Sequence, residues 1–191
     1  MKYFTLNEYI QLPEEDESYL IDGFLPRNGR IMLMGPAKEG KSFLAIQIGL
    51  AIARGESFMG RKSSRGRVLY LQYDTPHKLW LKRMRKLHKA GVKFHDEFLI
   101  LDHSDFEYRS KIDLLGNPDD VQYLKNVVDQ IRPDCVIIDT LRKLYNGDEN
   151  IEDFEKAWRL SGQRPARMIA SGCREPSFLD YAAMGRFYEQ V

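Results

Sequence analysis

Apolar residues in this chain gather in short, uninterrupted runs separated by stretches of helical length. Arg30 to Met34, Val68 to Tyr73, Phe98 to Leu101 and Cys135 to Asp139 are such runs, and Val68–Tyr73 and Cys135–Ile138 are rich in β-formers. Between the first two, Phe43 to Arg54 is apolar on nearly every face, which predicts a buried helix stopped by Gly55. Thr75-Pro76 reads as the start of a second helix, Thr as cap and Pro in the first turn. It runs to about Ala90 and ends at Gly91. A third helix is capped by Asp119 or Asp120, carries Val121, Leu124, Val128 and Ile131 on one face, and stops at Pro133. Strands that are apolar on both faces and alternate with helices predict an α/β fold, with a mostly parallel sheet flanked by helices.

The two ends read differently. Residues 1–29 read as an irregular lead-in, with Glu14 to Glu17 as a solvated loop and Pro26 to Gly29 as a turn. After Asn150 the pattern weakens. Ile151 to Trp158 suits a helix, and so does the stretch from Ser177 to Gln190. Met168-Ile169-Ala170 is the one short apolar stretch between Gln163 and Arg174, and no strand comparable to Val136–Ile138 is legible there. The expected organisation is a core with its lead-in over 1–150, then a diverged or truncated segment over 151–191 in which the C-terminal strands of the sheet are missing.

At 191 residues the chain suits one domain, and its 43 % hydrophobic and 30 % charged residues are those of a soluble globular protein. A net charge of +1 excludes a global basic field, so a nucleic-acid surface has to be a local patch. The longest apolar stretch, Phe43 to Ala53, is broken by Gln47 and too short for a bilayer, and the N-terminus has no signal-peptide pattern. Cys135 and Cys173 form no CxxC pair. The expectation is a reduced, cytoplasmic protein with no membrane association.

One segment carries specific chemistry. Gly35-Pro36-Ala37-Lys38-Glu39-Gly40-Lys41-Ser42 fits the phosphate-loop pattern G-x-x-x-x-G-K-[ST], between a strand and a helix as that loop requires. The glycines permit close backbone approach, and the loop N–H groups with the helix N-terminus cradle phosphate oxygens. Lys41 reaches the β- and γ-phosphates, and the Ser42 hydroxyl joins the shell of a Mg²⁺ ion. Gly35 through Ser42, with Phe43 after it, form the expected ATP site.

Two carboxylates end strands. Asp139 closes the Cys135–Ile138 run, where it either serves the Mg²⁺ beside Ser42 or caps a turn. Asp74 closes the Val68–Tyr73 run, where it either polarises the water attacking the γ-phosphate or is an ordinary turn residue. Lys41, Asp74 and Asp139 are the candidate catalytic residues.

The ordered set resembles the RecA-like ATPases, most closely the RepA-type replicative helicase branch. The resemblance rests on Leu20 to Pro26, the phosphate loop, Ala51 to Gly60, Gly66 to Leu71, Pro133 to Arg142 around the Walker B strand, and Gly147 to Asn150. It covers about residues 20–150. It implies a RecA-like core that hydrolyses ATP with Mg²⁺, assembles into rings or filaments, and acts on single-stranded DNA as a helicase or loader in replication or recombination. The family usually has Glu where this chain has Asp74, a side chain one methylene shorter. A non-motor nucleotide-binding switch with little hydrolysis is the alternative.

The second helix is crowded with bases: His77, Lys78, Lys82, Arg83, Arg85, Lys86, His88 and Lys89, with Trp80, Met84 and Leu87 at helical spacing. The apolar trio is expected to face the sheet. The basic residues are a solvated face, a contact for nucleic-acid phosphates, or a subunit interface.

Overall fold

The computed structural model describes residues 3–13, 18–27, 29–35, 39–73, 75–102, 117–139 and, as backbone, 167–171. The expectations for Pro36 to Lys38, Asp74, Arg142, 147–158 and 177–190 lie outside the described residues.

The lead-in is more ordered than its sequence indicates. A short helix, α1 (Leu6–Tyr9), is closed by a reciprocal Thr5–Glu8 capping box. Strands β1 (Tyr19–Ile21) and β2 (Leu25–Pro26) then pair antiparallel. Leu20, Ile21 and Leu25 are fully buried in the main core. Their burial explains the order: the irregular-looking stretch supplies apolar residues to a core formed by later elements.

The main sheet has five strands, β3 (Arg30–Leu33), β4 (Val68–Gln72), β5 (Phe98–Asp102), β6 (Cys135–Asp139) and β7 (Arg167–Ser171), in the order β3-β7-β6-β4-β5. Every pair is parallel. β7 corrects the expectation that no strand follows β6. It lies between β3 and β6, where its backbone pairs on both sides. Parallel ladders use backbone groups whatever the side chains, so a run with only three apolar residues can fill an interior position.

Helix α2 (Lys41–Arg54) follows β3, α3 (His77–Lys89) follows β4, and α4 (Pro118–Ile131) follows β5. The chain steps outward through α2 and α3 and returns through α4 and β6. Right-handed crossovers place the outward helices on one face of the sheet and the returning helix on the other. The packing agrees. Tyr70 of β4 shares a core with α2 and stacks on Trp80 of α3 at 5.3 Å. Tyr73, of opposite parity along the chain, lies close enough to Tyr123 and Asp120 of α4 for their charges to act on it, and burial pushes its phenol well above the usual range.

Two helix starts differ from expectation. Both the amide N–H and the carbonyl of Thr75 are bonded by the Gln72 side chain, at 2.8 and 2.6 Å, so Thr75 stays in the turn and Pro76 is the cap residue. Asn117, not Asp119 or Asp120, caps α4. Pro118 in the first position draws the helix start forward, and Asp120 is buried. Among the described residues no helix is long and apolar enough to cross a membrane.

Candidate nucleotide-binding site

The site gathers at the C-terminal edge of the sheet. β3 leads into Gly35, whose φ of +147° few L side chains adopt, and α2 begins after Gly40 at φ +88°. No side chain caps the N-terminus of α2. Its first N–H groups and the positive end of its dipole are therefore presented to the loop. Lys41 opens the helix and donates from Nζ to the Gly35 carbonyl at 2.7 Å, which holds the ammonium across the loop. Ser42 follows, half-buried, and Phe43 is exposed. The expected site residues Gly35, Glu39, Gly40, Lys41, Ser42 and Phe43 thus line one strand-to-helix turn.

Asp139 lies on the same edge. The strand register aligns Leu33 of β3, Ser171 of β7, Asp139 of β6, Gln72 of β4 and Asp102 of β5 in one row across the sheet. With β7 inserted, Asp139 stands two strand spacings, about 10 Å, from the end of the phosphate-loop strand. Its side chain is buried and accepts a 2.6 Å hydrogen bond from the Tyr70 hydroxyl, on the sheet face covered by α2. The carboxylate is therefore on the sheet face covered by α2, the helix in which Ser42 is the second residue. Asp74 lies outside the described residues, but Tyr73 before it is tied to β6 by its N–H to the Asp139 carbonyl at 2.7 Å.

Sequence reasoning missed three members of this edge. Gln72 is fully buried and bonds both backbone groups of Thr75. Asp102 is buried and pairs with His77 at 3.0 Å. Ser171 occupies the row between Leu33 and Asp139. A polar residue ending an apolar run was the available signal for Gln72 and Asp102; Ser171 had none.

Among the described residues no cluster of three His, Cys, Asp or Glu side chains could enclose a metal. One buried carboxylate and one serine hydroxyl suit a hard cation that completes its shell with water and phosphate oxygens, as Mg²⁺ does. These residues fit that ion.

The model of the AAA domain family matches residues 4–159. This chain belongs to the AAA domain family. It is accordingly a nucleotide-binding P-loop ATPase with a RecA-like α/β core. The match takes in α1, the β1–β2 pair and the sheet through β6. No curated protein matches the chain.

Proposed function

We propose that this AAA domain hydrolyses ATP with Mg²⁺ as a RepA-type motor or loader on single-stranded nucleic acid, working as a homo-oligomeric ring or filament. The observation that carries the catalytic part is the buried Asp139, oriented by Tyr70 and level with the end of the phosphate-loop strand. In this reading the loop from Gly35 to Ser42 holds the triphosphate, and Lys41 neutralises charge developing on the γ-phosphoryl oxygens. Ser42 and Asp139 would hold a Mg²⁺ ion, which when bound would supply positive charge beside the phosphate oxygens. Asp74 takes the proton of the attacking water and orients it in line. The helicase branch, the oligomer and the nucleic acid rest on the sequence resemblance.

One observation favours a second reading, a nucleotide switch with little hydrolysis. Asp74 is one methylene shorter than the usual glutamate, and proton transfer depends on reach. Steady-state ATP turnover of the purified chain, with and without single-stranded DNA and beside its oligomeric mass, separates the two. DNA-stimulated turnover by an oligomer supports the motor. Tight ATP binding without turnover, with or without DNA, supports the switch.

A further inference from the structure

We propose that the outer face of α3 is a binding surface for the phosphate backbone of single-stranded nucleic acid. Lys78, Lys82, Arg85 and Lys89 recur at steps of four, three and four residues. At about 100° per residue they project within about 60° of one another, in a straight stripe about 16 Å long. Trp80, Met84 and Leu87 project from the opposite side, where Trp80 is buried against Tyr70. The helix is thus anchored by one side and presents the stripe on the other. All four stripe residues are exposed.

The stripe differs from an ordinary solvated face. α3 holds six lysines and arginines and no acidic residue, in a chain whose net charge is +1. Among the described residues none of the four stripe side chains has an ion-pair partner. Lys78–Lys82, Lys82–Lys86 and Arg85–Lys89 are like-charge pairs four residues apart, each destabilising by a few tenths of a kcal/mol. Lys78 also lies in the first turn, against the helix dipole, with no acidic residue there and no side-chain cap. α4, the other amphipathic helix, carries Asp119, Lys125 and Asp129 on a face of mixed sign. A polyanion laid along α3 removes this repulsion. Leu79 and Leu81, both exposed, flank the stripe on either side. They offer apolar surface to unstacked bases, which a single strand presents and a duplex encloses.

This inference rests on the nucleic-acid part of the proposed function, and one experiment separates their failures. Binding of a fluorescein-labelled dT20 is measured by anisotropy from 50 to 250 mM NaCl. Four phosphate contacts predict a slope of log K against log salt of about −3. The variant carrying Lys78→Gln, Lys82→Gln, Arg85→Gln and Lys89→Gln loses most of that slope and binds at least about tenfold more weakly at 100 mM salt. Its thermal midpoint at low salt without DNA does not fall, because self-repulsion is removed. A control with Lys62→Gln, Lys93→Gln and Lys125→Gln, off the stripe, keeps the slope. Unchanged affinity and slope in the stripe variant overturn the α3 surface alone. Tighter binding of a hairpin duplex than of dT20 overturns the single-strand assignment. A stripe variant whose oligomeric mass changes without nucleic acid, with dT20 binding intact, makes the stripe an interface between copies and overturns the proposal. Absence of dT20 binding by the unsubstituted protein overturns both the surface and the nucleic-acid part of the function, while ATP turnover still reports on the ATPase reading.

Discussion

The Tyr70 hydroxyl donates to Asp139 Oδ2 across adjacent strands at 2.6 Å, and both side chains are buried. Tyr70 is held in turn by stacking on Trp80 and on Phe98, with ring centroids 5.3 and 5.7 Å away. An aromatic stack drawn from α3 and β5 thereby sets the orientation of the carboxylate proposed to hold the metal. Partners of this kind, one shell behind a ligand, typically tune metal affinity 10- to 100-fold. Tyr70→Phe keeps the ring and removes the bond. It is expected to raise the Mg²⁺ concentration for half-maximal turnover about tenfold or more and to leave ATP affinity nearly unchanged. A magnesium titration of turnover checks this; an unshifted midpoint removes Tyr70 from the site.

Lys41→Ala is expected to weaken triphosphate binding strongly and abolish turnover, since Lys41 supplies the charge nearest the transferred group. Asp139→Asn is expected to lower magnesium-dependent turnover while the loop backbone still binds nucleotide. Calorimetric ATP binding beside turnover distinguishes the two. Normal magnesium dependence in Asp139→Asn makes that residue a turn cap only.

Asp74 decides between motor and switch. If it positions water, Asp74→Glu restores reach and raises turnover, and Asp74→Ala lowers it without changing ATP affinity. Each tenfold change corresponds to about 1.4 kcal/mol in the barrier. The measurement is made on a confirmed oligomer with single-stranded DNA bound. Equal turnover with Ala, Asp and Glu at 74 assigns the residue to the turn.

Gly49 is placed by packing rather than by helix preference. A Cβ there would lie 2.5 Å from Phe98 Cε2 and 2.8 Å from Ile137 Cδ1, so α2 approaches the sheet more closely than a side chain allows. Alanine in a helix gains about 1 kcal/mol over glycine, but overpacking a core costs about 1–3 kcal/mol. Gly49→Ala is therefore expected to be neutral to destabilising by about 2 kcal/mol in urea unfolding, and a stabilised variant would show that helix and sheet separate freely.

At the opposite edge of the sheet, Arg67 Nε donates to Glu97 Oε2 at 2.7 Å, and that bond holds the Glu97 carboxyl below its usual 4.5. A lowered folded-state pKa contributes stability above the ordinary carboxylate pKa, and the contribution is lost as pH falls through the lowered value. Glu97→Gln is expected to melt slightly below the unsubstituted protein at pH 7, with the gap closing below about pH 4.5. The effect is small because the pair is partly exposed. A gap independent of pH between 3 and 7 would show that the charge is not involved.

Much of the fold was legible in the chain. Continuous apolar runs mark strands buried on both faces, as β4 and β6 are. The phosphate loop was legible because its chemistry is local: two glycines, a lysine and a serine at fixed spacing between strand and helix. Asp74 and Asp139 were placed at strand ends by the same local reading. The structure bears out that edge position for Asp139, while Asp74 falls outside the described residues.

What the tertiary structure decided is which elements meet. Nothing local marks β7 as an interior strand, because its place depends on backbone pairing with β3 and β6, far away in sequence. The lead-in reads as irregular because its apolar residues are scattered in short runs, yet Leu20, Ile21 and Leu25 are buried by contacts that exist only once α2 and the sheet are assembled. Tyr70 and Gln72 looked like strand residues and came to stand beside Asp139 through strand register, which aligns residues tens of positions apart. Periodicity and motif spacing are written in neighbouring residues, so the sequence by itself determined the elements and the phosphate loop. Register, strand order and the orientation of Asp139 arise from long-range pairing and packing, and only the folded chain holds them.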